Sequence, residues 1–473
     1  MKFNQFRLIF FLSSIILLSS CLGSSDVTTS TDASFASLVF KANDSIPYLS
    51  TADFTLVGNT IVNVDSLPFA TRIDSVYPTF TWKTTAYSIL YIPGGNKYKK
   101  DSVLITGTDT IDFRKKLRIR NWATDYKTIK EYYITANVHQ VDPESYVWKT
   151  TSANLNSINA TSQKTVVLND TAMFYYLNDG ASSYLYTSTN GTNWKQATVT
   201  GLPVSTPLTD MIEFNGKLYL TQDGTNIYSS ADGFNWTKKT VTDFTFKSLA
   251  YVLNNKLWAV VQSNTDNSYH FSISGDGNVW NTTTGTIPDN FPVSGFASTA
   301  YSSSTGTPKV LVLGGYSANG TILHNSWSSQ DGVYWIDFST ENHTLDTLSV
   351  GASVVFYDNK LLVFGLRTDN GKSFCKVSKD EGLSWMLPDV HRNILPSAYL
   401  SNPRSYQSAV VLRPKTYDKI NSADLLNEME LSNHIFVIGG KLGSTTYSDV
   451  YTAKLNRLNF LRQEKTIYAN KYK

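Results

Sequence analysis

The stretch YSSADGFNW, residues 228–236, decides how the chain folds. It sets Ser230, Asp232, Gly233 and Trp236 at fixed offsets behind an apolar run. An Asp carboxylate in such a place accepts backbone N–H groups of its own turn, and a Ser hydroxyl adds to that network. Gly takes a backbone conformation that other residues avoid. Trp lays a large apolar face over the hairpin. Turn geometry and packing explain every residue type, so the stretch reads as a staple and not as a reactive centre.

The stretch recurs along the chain. YTSTNGTNW carries Ser188, Asn190, Gly191 and Trp194. FSISGDGNVW carries Ser274, Asp276, Gly277 and Trp280, and WSSQDGVYW carries Ser329, Asp331, Gly332 and Trp335. KVSKDEGLSW carries Ser378, Asp380, Gly382 and Trp385, with one more residue between Asp and Gly than the others. Each box follows an apolar strand: MFYYL (173–177), LYLT (218–221), LWAVV (257–261), VLVLGG (310–315) and LLVFGL (361–366). A further strand, IFVIGG (435–440), leads into VYTAKLNRLNF (450–460), where the box is lost and Phe460 stands in for Trp.

Before several of these strands comes another, joined by a tight turn, as in MIEFNGKLYL, LAYVLNNKLWAV and SVVFYDNKLLVF. Asn-Gly and Asn-Asn supply the positive φ that a two-residue hairpin needs. A unit is then strand, turn, strand, loop, strand, box turn, strand. That is a meander of ~45 residues, the size of a propeller blade. Six units fit between about Ser152 and Gln463, and Trp148 in YVWKT is expected on an outer strand that helps close the ring.

The boxes resemble the Asp-box repeats of sialidase-type propellers, and the VLGG and VIGG strand ends resemble kelch repeats. The resemblance covers about two thirds of the chain and implies a propeller. In those families the box lies away from the active site, so it implies no reaction. A sialidase holds its substrate carboxylate with clustered arginines, whose planar fork binds in a bidentate way. This chain has no arginine between Arg120 and Arg367, and the arginine-Ile-Pro motif typical of a first sialidase blade is missing. HRNILP (391–396) sits in the wrong blade. Sialidase activity is therefore rejected. A copper radical oxidase of the kelch type needs a Cys crosslinked to Tyr, and the one candidate, Cys375, reads as a buried small hydrophobe.

No metal or cofactor is expected. His139, His270, His324, His343, His391 and His434 form neither HxH nor HExxH, and no run of oxygen ligands suits calcium. A glycosidase or lyase that sets two loop carboxylates about a sugar stands as the alternative to a binding role.

The ends speak of place. Lys2 and Arg7 flank LIFFLSSIILL (8–18), an apolar run too short for a permanent span. LSSC (18–21) resembles a bacterial lipobox, which implies cleavage before Cys21 and lipid on its thiol. Cys21 and Cys375 are the two cysteines, which leaves no disulfide framework. LGSSDVTTSTDA (22–33) has almost nothing to bury and reads as a tether. Leu22 after the lipid site favours the outer membrane by resemblance to general sorting rules, with the periplasmic and cell-surface faces both open.

Residues 34–145 lack the box and show short alternating strands, which suggest a β-sandwich. LRIRNWATDYKTIKEYYITANVHQV looks like the closing hairpin of immunoglobulin- or cadherin-like modules. RKKLRIR (114–120) puts Lys116, Arg118 and Arg120 on one strand face, either a solvated surface or a contact for an acidic glycan or headgroup. KINSADLLNEMELSNH (419–434) reads as a short helix over a blade edge. The formal charge of +3 shows no basic half, which gives nucleic acid no support as a partner. Tripeptides such as DSI at Asp44 and DTL at Asp346 resemble the O-glycosylation acceptor of Bacteroidetes, and the whole layout looks like the propeller lipoproteins of that phylum's envelope.

The reading is an all-β chain. Residues 1–21 form a lipoprotein signal, 22–33 a tether, 34–145 a sandwich, 146–465 a six-bladed propeller and 466–473 a tail. It is expected to be lipid-anchored at the outer membrane and to bind or scaffold carbohydrate or an envelope protein without enzymatic activity.

Overall fold

Alternating burial makes nearly every element of the computed structural model a strand. The structure describes residues 29–456, apart from 47, 95–100, 141, 144, 223, 339–344, 346, 388–394 and 413–432. Cys21, most of the tether, Phe460, the stretch 419–432 and the residues His343 and His391 lie outside the described residues. The chain divides into two compact units between Asp142 and Pro143.

The first unit holds β1 (Phe35–Phe40), β2 (Phe54–Val57), β3 (Thr60–Asn63), β4 (Pro78–Trp82), β5 (Tyr87–Tyr91), β6 (Ser102–Leu104), β7 (Leu117–Trp122) and β8 (Ile129–Thr135). Six of these form one sheet in the order β2-β3-β8-β7-β5-β6, and β1 pairs with β4. The sequence reading missed β2 and β3. Each is only four residues long, and they join at Gly58, whose φ of 63° allows the tight turn. Their discovery changes the topology, because β3 runs parallel to β8 in a sheet that is otherwise antiparallel. Leu38 and Phe40 of β1 share one core with Ile61, Leu90, Leu117, Ile119 and Ile134 of the larger sheet.

The second unit opens with β9 (Tyr146–Ser152). The first sheet is β10 (Ser162–Leu168), β11 (Ala172–Asn178), β12 (Ser183–Ser188) and β13 (Lys195–Ala197). The second is β14 (Ile212–Phe214), β15 (Lys217–Gln222), β16 (Asn226–Ser230) and β17 (Thr237–Thr240). The third is β18 (Phe244–Leu253), β19 (Lys256–Ser263), β20 (Tyr269–Ser274) and β21 (Asn281–Thr286). The fourth is β22 (Ala297–Ser302), β23 (Pro308–Tyr316), β24 (Ile322–Ser329) and β25 (Ile336–Asp337). The fifth has three strands, β26 (Ser353–Tyr357), β27 (Lys360–Leu366) and β28 (Ser373–Ser378). A single bridge between Val377 and Met386 stands where a fourth strand was expected. One short helix, α1 (Ser397–Ser401), precedes the last sheet.

That last sheet, β29 (Ser408–Leu412), β30 (His434–Leu442) and β31 (Thr445–Leu455), takes β9 as its fourth strand. Trp148 lies opposite Ala453, so the chain's entry strand completes the sheet from which the chain leaves. The first strands of consecutive sheets touch one another from β10 through β29, and β29 touches β10 again. The hairpins follow from residue type. Asn254 and Asn255, and likewise Asp358 and Asn359, hold φ between 53° and 56° at both turn positions. That conformation matches the twist of the flanking strands.

Candidate functional site

In each box turn the backbone N–H groups are met by the box's own side chains. Gly233 N–H donates to Ser230 Oγ at 2.9 Å, and Phe234 and Asn235 N–H both donate to Asp232 Oδ1 at 2.8 Å. The same pattern holds at Ser188, Asn190 and Gly191, at Ser274, Asp276 and Gly277, and at Ser329, Asp331 and Gly332. In the longer box, Gly382 donates to Ser378 Oγ and Ser384 N–H to Asp380 Oδ1. The Asn235 and Phe234 donors hold the Asp232 carboxyl well below the usual range. At Asp331 and Asp380 burial opposes ionisation, and the turn's donors outweigh it.

The box glycines also carry a contact that turn chemistry alone does not reveal. A Cβ on any of them would fall within 2.7 Å of a side chain of the preceding sheet. Gly233 sits on Phe174, Gly277 on Tyr219, Gly332 on Trp258 and Gly382 on Leu311. Gly191 sits on Phe436 of the last sheet. Tyrosine hydroxyls reinforce these joints: Tyr176 donates to Gly233 O at 2.5 Å and Tyr301 to Glu381 O at 3.1 Å. Trp194 and Trp335 donate their indole N–H to the carbonyls of Gly191 and Gly332. Trp236 and Trp385 are buried. The turns lie at the end of the sheets where the first strands finish, because the third strand of a meander runs parallel to the first.

The first strands and the residues just before them do something else. They line a channel of about 340 Å³, whose wall includes Gln163, Lys164, Thr165, Asp210, Tyr406 and Gln407. Most of the wall is small or apolar, as at Ala250, Gly295, Ala297, Gly351 and Ala409. Three charged residues break it, Lys164, Asp210 and Glu213. Asp210 accepts from Thr221 Oγ1 at 2.6 Å and from Leu249 N–H at 3.2 Å. Burial still pushes its carboxyl above the ordinary value, against those donors and Lys164. Burial likewise pushes the Lys164 ammonium down, with Asp210 pulling the other way. Lys164 and Asp210 both keep partial solvent contact.

The wall also holds polar atoms that the protein does not meet. Thr165 and Gln407 are buried, yet among the described residues Thr165 Oγ1 and Gln407 Oε1 have no hydrogen-bond partner. Such groups cost ~1–3 kcal/mol each when left unsatisfied. Beside them Tyr406 is held at φ 59°, where a bulky residue is strained. Its backbone N–H is fixed by Gly351 O at 2.7 Å. Strain of this kind costs ~1–3 kcal/mol and gathers at functional sites.

Sequence reasoning missed all of these residues. The usable signal was Lys164 in SQKTVVL, a charge on a strand whose other positions are mostly buried. Glu213 also lines the channel, but its carboxylate accepts from Gly216 N–H at 2.7 Å at the hairpin end of the strand.

The other candidates are placed elsewhere. Cys375 is buried in a core cluster with Leu362, Phe364 and Val437. His270 contacts Ser268 and Gly285, His324 contacts Leu348 O, and His434 begins β30. Among the described residues no group of three or more His, Cys, Asp or Glu side chains is set to hold a metal. None of their helices is long and apolar enough to cross a membrane. A large cation that the sequence reading passed over, Arg404, is fully buried. It pairs with Asp449 through both guanidinium nitrogens, Nη2 at 3.0 Å from Oδ2, and Tyr451 donates to the same oxygen at 2.7 Å.

Comparison with known proteins follows this division of the chain. Residues 142–463 match the family model described as the DUF6242 beta propeller domain. Residues 22–136 match the one described as Domain of unknown function (DUF6242) N-terminal domain. No curated protein matches. Among solved structures, that of YjhT is 13% identical, covering 65% of this chain and 98% of that one at a TM-score of 0.41. A protein of unknown function from Dyadobacter fermentans DSM 18053 is 11% identical, covering 65% and 99% at 0.41. An endo-arabinase from Bacteroides thetaiotaomicron VPI-5482 is 14% identical, covering 66% and 100% at 0.32. At these scores the likenesses carry no argument about what this chain does.

Proposed function

From the premise that the chain belongs to the DUF6242 family, we propose that it is a cell-envelope binding protein that takes a carbohydrate at the mouth of the propeller channel. The observation that carries the reading is a pair of charged groups on an otherwise small and apolar channel wall. Lys164 and Asp210 both line the channel and keep partial solvent contact. A sugar offers hydroxyls to such groups and apolar ring faces to the small residues between them. The strain at Tyr406 and the raised Asp210 carboxyl are costs that folding does not require.

Binding is favoured over hydrolysis by the placement of the acids. Glycoside hydrolysis sets two carboxyl groups across the scissile bond. Among the described residues the channel's carboxylates are Asp210, in the turn before β14, and Glu213, on β14 and engaged at the hairpin. The six sheets are read as six blades, and the two sheets of the first unit, sharing one core, as a sandwich. Lipid on Cys21 would hold both units at the outer membrane by the tether of residues 22–33.

The test incubates the full chain with a panel of polysaccharides and scores retention and released oligosaccharide. Retention without release is expected, and Gln407→Leu with Lys164→Met should abolish it. Released oligosaccharide would make the chain an enzyme and overturn the reading. Retention that ignores both substitutions would remove the channel as the site.

A further inference from the structure

The first unit carries a charged aromatic face that its own core does not use. Along β5, β7 and β8 alternate residues such as Leu90, Ile119 and Ile134 enter the core. Their neighbours form rows across the three strands on the opposite face. One row is Tyr91, Arg118 and Tyr133, the next Ile89, Arg120 and Glu131, and the third Tyr87, Trp122 and Ile129. The Arg118 guanidinium lies 4.2 Å over the Tyr91 ring, and the Lys116 ammonium 4.6 Å over Tyr133. Tyr87 and Trp122 stack at 4.6 Å with 18° between their planes. A concavity of about 560 Å³ is lined by Tyr91, Asp101, Lys116, Arg118 and Tyr133.

The charges on this face do not cancel. Glu131 is held by Arg120 Nε at 2.6 Å and stands 3.7 Å from Arg118. Among the described residues Lys116 has no carboxylate within ion-pairing distance, and its one described contact is a ring. Lys116 is exposed, and Arg118 keeps about a third of its side chain accessible, at 37%.

We propose that this face binds a carboxylate-bearing polysaccharide. Tyr91 and Tyr133 stand on the strands flanking β7, so they are ~10 Å apart at ordinary strand spacing. That is comparable to the length of two pyranose rings. A planar guanidinium recognises carboxylate in a bidentate way. The Arg118 guanidinium and the Lys116 ammonium lie over the Tyr91 and Tyr133 rings, so a carboxylate of each sugar would meet a cation held on a ring. The stacked pair of Tyr87 and Trp122 extends the platform along the strands. A neutral glycan would leave the surplus of positive charge unused. The site is separate from the propeller channel and stands whether or not the channel binds sugar.

The test is affinity electrophoresis of the full chain through gels holding polygalacturonate or, as the uncharged control, dextran. The expected result is retardation by polygalacturonate alone, weakened about fivefold by Lys116→Glu, an exposed change of about the size of one or two surface charge contacts. Arg118→Ala should weaken it at least as much, and Lys238→Met, on an exposed strand of the second unit, should leave it unchanged. Equal retardation by dextran, no retardation by either gel, or a loss with Lys238→Met and not with Lys116→Glu would each overturn the proposal. So would capture by phosphatidylglycerol vesicles with no effect of polygalacturonate.

Discussion

Asp232 and Asp210 are the same residue type in the same unit, and the structure treats them in opposite ways. Asp232, in a box turn, is surrounded by donors of its own loop, and its carboxyl is held well below the usual range. Asp210, in the channel wall, is pushed above that range by burial despite Thr221, Leu249 and Lys164. The first carboxylate stabilises the fold, and the second is kept at a cost to it. A carboxylate depressed by its own turn marks the staple and one raised by burial in the channel wall marks the site, so residue type alone does not separate the two roles.

The Arg404 and Asp449 pair shows what a buried charge looks like when the fold has completed it. Arg404 Nε donates to Asn402 O, Nη1 to Gly439 O, and the fork closes on Asp449. Removing one member leaves the other buried and alone. Arg404→Ala is expected to cost about 3–5 kcal/mol in urea unfolding. Arg404→Met with Asp449→Leu should recover most of that loss, because well-packed apolar replacements of a buried pair are nearly neutral. If the single change costs less than about 1 kcal/mol, the pair is not the closed unit described, and the contrast with Asp210 loses its reference.

The box glycines come next in size. Gly233 has φ 78° and lies against the Phe174 ring of the preceding sheet. Gly233→Ala should cost about 2–4 kcal/mol, the sum of left-handed strain and overpacking. Gly306 has a similar φ of 82° with open space around it, and Gly306→Ala should cost about 1 kcal/mol. The difference between the two measures the joint between sheets apart from the turn. Equal losses would show that the box staples only its own hairpin.

This joint also shows where the sequence stops being legible. The strands, the paired asparagine turns and the hydrogen bonds inside SADGFNW follow from local residue types, since each acts within a few positions. That Gly233 must also admit Phe174 does not, because the two meet only when neighbouring sheets pack. Arg404 and Asp449 were illegible for the same reason, being distant in sequence and brought together by β29 and β31. The channel was hidden more deeply. Its wall is built from one short segment of every sheet, and no such segment is unusual by itself. In the first unit β2 and β3 were too short to show a period, and the parallel pairing of β3 with β8 depends on chain crossing that local pattern does not encode.

Asp210→Asn should act in the reverse direction. Asparagine can still accept from Thr221 and Leu249 but carries no charge to bury. The variant is expected to be more stable by about 1 kcal/mol at pH 7, while its glycan retention falls. The sign follows from the raised carboxyl. Its cost to folding is present above the folded pKa and is relieved as pH falls through it. The two proteins should therefore converge toward acid pH. A variant that is less stable at pH 7 would make Asp210 a staple like Asp232.

The smallest effect sharpens the comparison from the other side. Asp232→Asn keeps an acceptor in the turn, and Asn190 already occupies the equivalent place in the first box with the same two N–H donors at 3.0 and 2.9 Å. Near neutral pH the substitution should lower the unfolding midpoint only slightly, because solvent screens an exposed carboxylate. The folded carboxyl of Asp232 lies below its unfolded value, so its contribution is present above the unfolded pKa of ~3.9 and is lost as pH falls through the folded one. Asp276, Asp331 and Asp380 are lowered in the same direction. Urea midpoints measured from pH 5 downward should thus fall less steeply for Asp232→Asn than for the unaltered chain, and less steeply again as the other box aspartates are changed. Parallel pH profiles would mean that the carboxylate charge contributes nothing beyond its geometry. In that case Asn190 would be the sufficient form of the staple, and the depressed carboxylates would be a by-product of the turn rather than a source of its stability.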